Sequence, residues 1–250
     1  VTLPVLEVDL GPGVRAGFTT RAGGVSAPPW DTLDLGLHVG DDPGHVRTNR
    51  ARVAAWAGGP VAWATQVHGT HVHVLDGPDE ARQDTVGDAD ALLTALPGTG
   101  VGVLVADCVP VLLADPVARV VAAAHAGRRG LAGGVVQATL AAMVARGADP
   151  ARVRAAVGPA ISGPRYEVPA AMRDEVEAAV PGTACTTEHG TPGLDLPAGV
   201  AGLLRAAGVR DVHLTGWCTD ADPRFFSHRR AQRAGTTTGR SAGVVALMNV

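Results

Sequence analysis

Three apolar runs, at residues 101–106, 110–114 and 119–124, constrain this chain more than any other feature. They are interrupted at Asp107-Cys108 and again at Asp115-Pro116, and the last run closes on His125. Each is too short for a helix and reads as a β-strand. A carboxylate, a thiol and an imidazole therefore fall at strand ends, with the turn Gly127-Arg128-Arg129-Gly130 directly behind them.

Around this centre the chain mixes strands and helices throughout. Further strands are predicted at 3–9, 14–19, 61–67, 71–75, 153–157, 212–217 and 243–248, and helices at 44–57, 130–146, 169–179 and 197–207. Leu131, Val135, Leu140, Met143 and Val144 return to one helical face, and Gly147 supplies a stop. Asp195 and Pro197 supply a cap and first turn for the last helix. The Pro/Gly/Asp-rich pieces 76–90 and 181–195 read as surface loops. The mixture predicts one α/β domain over residues 1–250. Several strand pairs lie too close for a helical crossover, so the sheets should be mixed and partly antiparallel.

Charge and cysteine content exclude several function classes. The formal net charge is −3, and the 21 basic residues, all Arg, are spread along the chain. A phosphate-backbone binder concentrates such charge on one face, so nucleic acid is not the expected partner. No apolar run approaches the roughly 18 residues of a membrane span, and no basic segment leads into an apolar one at the start, which points to the cytosol. Three cysteines, Cys108, Cys185 and Cys218, are too few and too odd in number for a disulfide framework.

The residues that carry chemistry are few. His68 lies in Thr65-Gln66-Val67-His68-Gly69, between two predicted strands, where Gly69 permits an unusual turn. With Cys108 and His125 it supplies two imidazoles and one thiolate. Zinc takes such ligands tetrahedrally, and three of them leave a position for water or substrate, whose pKa falls to about 7 when the water is zinc-bound. His71 and His73 share a strand face and form a competing pair, read more simply as exposed histidines on an edge strand. The turn at 127–130 opens a helix, whose free N–H groups and adjacent guanidiniums would attract an anion. Thr19-Thr20-Arg21-Ala22-Gly23-Gly24-Val25-Ser26 presents hydroxyls and an Arg on a Gly-rich turn, a phosphate or ribose contact. Phe225 and Phe226 stand beside His228, Arg229 and Arg230, with Thr238-Gly239-Arg240 following. The rings suit either a purine base or the core.

Taken in order, TRAGGVS, LGLHVGDDP with Asn49-Arg50, QVHG, DALLT, ADCVPVLLADP, AAAHAGRRG, VGPAI with Tyr166-Glu167-Val168, and FFSHRR with TGR resemble the YfiH/laccase-domain family from about residue 18 to 248. The resemblance implies a layered α/β/β/α domain with zinc held by His68, Cys108 and His125. It also implies phosphorolysis of adenosine, inosine, guanosine and methylthioadenosine to base and ribose 1-phosphate, and deamination of adenosine. Arg21, Ser26, Asn49, Arg129 and Arg229 match motif positions and are expected at phosphate or nucleoside. Asp107 is expected as a general acid/base or as a ligand-orienting group. The family's usual H-A-G-W-R-G departs here to Arg128, exchanging an indole surface for a cation. A monomer is the expected state. Two other readings stay open: a metal-free hydrolase or deamidase using Cys108 and His125, and an editing factor for peptidoglycan precursors. Several coppers would need more histidines in pattern than the chain offers.

Overall fold

The apolar runs lack alternation because their strands are covered on both faces. In the computed structural model, which describes residues 3–249, the chain runs β1 (Val5–Val8), β2 (Val14–Thr19), α1 (Pro43–Ala57), β3 (Val61–Ala62), β4 (Val72–Val74), β5 (Ala91–Thr94), β6 (Thr99–Val105), β7 (Val109–Asp115) and β8 (Val120–Ala126). It continues through α2 (Arg128–Gly133), α3 (Val135–Ala145), β9 (Arg154–Val157), α4 (Ala170–Ala179), β10 (Ala184–Thr186), β11 (Pro192–Leu194), α5 (Leu196–Ala206), β12 (Asp211–Leu214), α6 (His228–Arg233) and β13 (Ser241–Leu247).

Five strands form one sheet in the order β1-β2-β13-β6-β3, and six form a second in the order β12-β9-β7-β8-β5-β4. Both are mixed: β3 lies parallel to β6, β4 to β5 and β12 to β9, and the other pairs are antiparallel. Successive side chains of a strand take opposite faces, and each face here has its own core. On β8, Val121 and Ala123 join Leu112, Phe18, Val103 and Val245 between the sheets. Val120, Ala122 and Ala124 face outward to Leu131, Val135, Leu140, Met143 and Val200 of α2, α3 and α5. Leu104 and Val244 face the opposite way, toward Val53 and Ala57 of α1. The result is four layers, α/β/β/α, as the fold class expected. Helix–sheet and sheet–sheet burial each remove apolar area worth roughly 25 cal/mol per Å², so neither face tolerates a polar residue without a partner.

Four local expectations change. The helix expected over 130–146 is two, because Gly134 adopts φ 100 and ends α2 after six residues. The strand expected over 61–67 stops at Ala62, yet Gln66 imitates its continuation. Its amide accepts from the Leu104 N–H at 2.7 Å and donates to the Leu104 carbonyl at 2.8 Å. The segment 181–195, expected as loop, contains the β10–β11 hairpin. Finally, β5 and α6 were not expected as elements; β5 is only four residues long and α6 only six.

One buried carboxylate links fold to pH. Asp34 is 0 % exposed; its Oδ1 accepts from the N–H groups of Gly36 and Arg240, while Oδ2 has no partner. Burial pushes its carboxyl up to about 6, with Asp41 adding to the rise and the two N–H donors opposing it. A raised folded-state pKa means the folded state holds the proton more tightly than the unfolded chain. Stability from this group is therefore complete below the unfolded value near 4 and is lost as pH rises through about 6, by about 3 kcal/mol in all. Asp34→Asn keeps an acceptor and removes the charge. Urea melts should show it about 1–3 kcal/mol more stable than wild type at pH near 8, with the difference gone near pH 4. Equal gains at both pH values would show that ionisation is not the cause.

Candidate active site

Hairpin register brings the central residues together. β7 and β8 pair with Val109 opposite Ala126 and Pro110 opposite His125. Cys108, just before β7, therefore sits beside the end of β8. His125 continues the Val121–Ala123 face into the gap between the sheets, where it is 3 % exposed. On the other side of β8, Ala91 of β5 pairs with Ala124, and β4 pairs with β5. That order carries the loop before β4, with His68, to the same end of the sheet.

The three side chains converge. His68 Nε2 lies 3.7 Å from Cys108 Sγ, and one ligand atom from each of His68, Cys108 and His125 falls within 4.8 Å of the others. The two imidazoles meet edge to face, centroids 4.8 Å apart. The unusual backbone expected at Gly69 belongs to His68 itself, at φ 60. A non-glycine residue in this region needs local support, and Asp90 supplies it. Its carboxylate, 0 % exposed, accepts from the N–H groups of Val67, His68 and Gly69 at 3.2, 2.9 and 2.6 Å. The same carboxylate sits 2.8 Å from His125 Nδ1, leaving Nε2 facing the thiol. Burial works against the Asp90 charge, but the His125 contact and these N–H donors outweigh it and hold the carboxyl below its usual range.

Electrostatics favours a thiolate. Burial opposes the Cys108 charge, but His125 and then His68 overcome it and bring the thiol down to about 6. Burial likewise opposes the His125 charge, while the thiolate and Asp90 raise it to about 9. The donor set, two imidazoles and a thiolate with one imidazole fixed by a carboxylate, fits a divalent metal such as zinc. Gly127 marks the cradle: a Cβ there would lie 2.7 Å from His68 Cδ2 and 3.0 Å from Cys108 Sγ. Among the described residues this is the single group of three such ligands.

His68 and Cys108 border a cleft of about 380 Å³, with His125 buried behind them. Its lining joins His68, Asp107 and Cys108 to Arg128, Arg129, Tyr166 and Arg229, with Ile161 and Leu196 as apolar members. Asp107 is held at φ 94, its Oδ1 accepting from Thr219 Oγ1 and its Oδ2 from the Arg229 N–H, both at 2.6 Å. Arg229 lies over the Tyr166 ring at 5.2 Å. The anion attraction expected from a helix start at 127–130 rests on the guanidiniums instead, since α2 has six residues and little dipole.

Three expected contacts lie elsewhere. Arg21 donates through Nη2 to Asp31 Oδ1 and through Nε to the Asp31 carbonyl, and covers Phe226 at 5.1 Å. Asn49, 0 % exposed, donates to Ser26 Oγ and to the Thr32 and Asp34 carbonyls and accepts from the Val25 N–H. Arg21, Ser26 and Asn49 are thus correctly placed to knit the 21–34 loop, and none of them lines the cleft. Phe225 and Phe226 are both 0 % exposed and belong to the core. His73 pairs with Glu80 at 2.5 Å, so His71 and His73 do not act together. Conversely, Asp90, Tyr166 and Thr219 were not expected at the site by role; Asp90 and Tyr166 stand inside quoted motifs, and Thr219 carries no signal.

A protein of Mycobacterium tuberculosis named purine nucleoside phosphorylase is 52 % identical over 235 residues, 93 % of this chain and 91 % of its own. A Deinococcus radiodurans protein of the same name is 42 % identical, covering 99 % and 95 %. Among solved structures, a Neisseria meningitidis protein superposes with TM-score 0.86 at 38 % identity, covering 98 % and 99 %. YlmD from Geobacillus stearothermophilus gives 0.85 at 34 %, covering 95 % and 93 %. Residues 15–248 match the family described as multi-copper polyphenol oxidoreductase laccase, and with the His-Cys-His cluster, the four-layer fold and these relatives in view, the chain belongs to that family.

Proposed function

We propose that this protein is a zinc-dependent purine nucleoside phosphorylase, taking adenosine, inosine, guanosine and methylthioadenosine with phosphate, and that it also deaminates adenosine. The observation that carries the reading is the gathering of Arg128, Arg129 and Arg229 with His68, Cys108 and Asp107 around one 380 Å³ cleft. A phosphate dianion needs several charge-assisted donors, and planar guanidiniums provide them.

In phosphorolysis a phosphate oxygen forms a bond to C1′ while the C1′–N9 bond breaks and its electron pair leaves with the purine. Arg129 and Arg229 hold the phosphate on the attacking side, and Arg128 strengthens the same field. Positive charge developing on the ribose is offset by that phosphate. The departing purine takes a proton from water, and Asp107, its carboxylate fixed by Thr219 and the Arg229 N–H, is the acceptor that orients that water. Ile161, Tyr166 and Leu196 exclude water and give the base an apolar wall. Held by His68, Cys108 and His125, zinc would supply Lewis-acid chemistry. Deamination exchanges the C6 amino group for a water oxygen with release of ammonia, in the same cleft and a different substrate pose.

The test is phosphate-dependent release of hypoxanthine and ribose 1-phosphate from inosine by protein of measured zinc content. Absence of phosphate-dependent release from zinc-loaded protein overturns the proposal. Cys108→Ser exchanges a soft ligand for a poor one. It should lower bound zinc, read by mass spectrometry of the metal, and turnover by about 10³-fold. A second reading, a metal-free cysteine hydrolase, is favoured by one observation, the packing of the Cys108 thiol against His68 and a His125 held by Asp90. Full phosphorolysis in Cys108→Ser, or rapid alkylation of Cys108 unaffected by zinc, would favour that reading.

A further inference from the structure

One helix brings uncharged polar groups to the cleft. His228 and Gln232 of α6 both line it, four residues and so one turn apart, while the intervening Ala231 is buried. The side-chain hydrogen bonds of α6 are made by Arg229, Arg230 and Arg233. Among the described residues the exposed carboxamide of Gln232 makes none. No step of phosphorolysis described above uses it.

The other polar groups of the lining have work already. His68 and Cys108 belong to the ligand cluster. Both oxygens of Asp107 accept hydrogen bonds, from Thr219 Oγ1 and from the Arg229 N–H. The three guanidiniums carry the charge that a phosphate needs. A purine makes a different demand. Its C6 substituent is an amino donor in adenosine and an oxo acceptor in inosine and guanosine. A guanidinium can only donate and a carboxylate can only accept, so each suits one kind of substrate and rejects the other. A carboxamide holds a carbonyl acceptor and two N–H donors, and a turn about its last bond exchanges them. Gln232 is the one carboxamide in the lining.

We infer that Gln232 reads the C6 substituent of the purine during phosphorolysis, its carbonyl accepting from a 6-amino group or its N–H donating to a 6-oxo group. The inference rests on the nucleoside reading above. It makes Gln232 a specificity-determining residue, and it accounts for one cleft taking both 6-amino and 6-oxo purines. Because the side chain is exposed and Ala231 carries the buried contact of α6, substitutions at 232 leave the core intact.

Initial rates of hypoxanthine release from inosine and of adenine release from adenosine test this, with zinc-loaded protein and saturating phosphate. Gln232→Leu should lower kcat/KM for both nucleosides by about 3–10-fold, the scale of one hydrogen bond, and leave their ratio in place. Gln232→Glu can only accept, and should move the ratio toward adenosine by about tenfold. Gln232→Lys can only donate, and should move it toward inosine. A merely structural role would not give opposite shifts at one exposed position. Unchanged ratios in both charged variants, or a shift of Gln232→Glu toward inosine, overturn the assignment and leave the nucleoside reading standing. A KM for inorganic phosphate that rises in Gln232→Leu puts the residue at the co-substrate and also overturns it. Absence of phosphate-dependent base release from the unaltered protein overturns the assignment and the nucleoside reading together.

Discussion

Asp90→Ala is expected to cost the protein both its metal and a large part of its stability. One buried carboxylate accepts three successive N–H groups of the loop that carries His68 and also holds His125 Nδ1. Removing it takes the shared acceptor from three N–H groups of the His68 loop and strips His125 of its carboxylate while the ring stays 3 % exposed. Breaking a buried charged pair by deleting one partner costs about 3–5 kcal/mol. Loss of a carboxylate that orients a metal-ligating histidine costs about 10–100-fold in metal affinity. Asp90→Asn separates the two effects. It retains one acceptor oxygen and gains a donor that no longer matches His125 Nδ1–H, so the loop should survive better than the histidine's orientation. Urea denaturation and zinc competition with a chromophoric chelator read the two losses independently. Unchanged zinc affinity in both variants would show that His68 and His125 are placed without Asp90.

How much of this was legible in the sequence depends on whether the signal is local. The runs at 101–106, 110–114 and 119–124 stand out because double-faced burial demands apolar residues at every position, and all three are strands. The helices at 44–57, 169–179 and 197–207 all form, and the cap read at Asp195 does accept from the Ala198 N–H. Gly134 carried a visible warning as the second of two consecutive glycines, but the apolar period on both sides masked the break. The His68, Cys108 and His125 group that the fold brings together was readable from residue type, since few side chains of that chemistry sit at strand ends. Asp90 was not, because its role exists only once β4, β5 and β8 lie side by side. Ser26, Asn49 and Arg21 show the reverse problem. A residue type suited to a substrate is equally suited to knitting a loop, and only burial and partners tell the two apart.

Gly127→Ala isolates the metal cradle from the fold. Gly127 has φ −74 and ψ 165, an extended conformation that any residue adopts, so alanine introduces no backbone strain. The added methyl meets only the site, 2.7 Å from His68 Cδ2 and 3.0 Å from Cys108 Sγ. Both distances are shorter than carbon or sulfur contacts allow, so one ligand has to give way. His68 is the exposed, loop-borne partner and moves outward, whereas Cys108 is fixed at the start of β7. Displacing one of three ligands leaves a pair, and zinc affinity should fall by about 100-fold or more. Thermal unfolding of the metal-free protein, by contrast, should shift by only about 2–4 °C, since no core contact is lost. Phosphorolysis should fall with zinc occupancy. A variant that keeps stoichiometric zinc and full turnover would place the functional centre away from the His68–Cys108 gap. A variant that loses activity while retaining zinc would mean that the gap between these two side chains is occupied by substrate rather than by the ion.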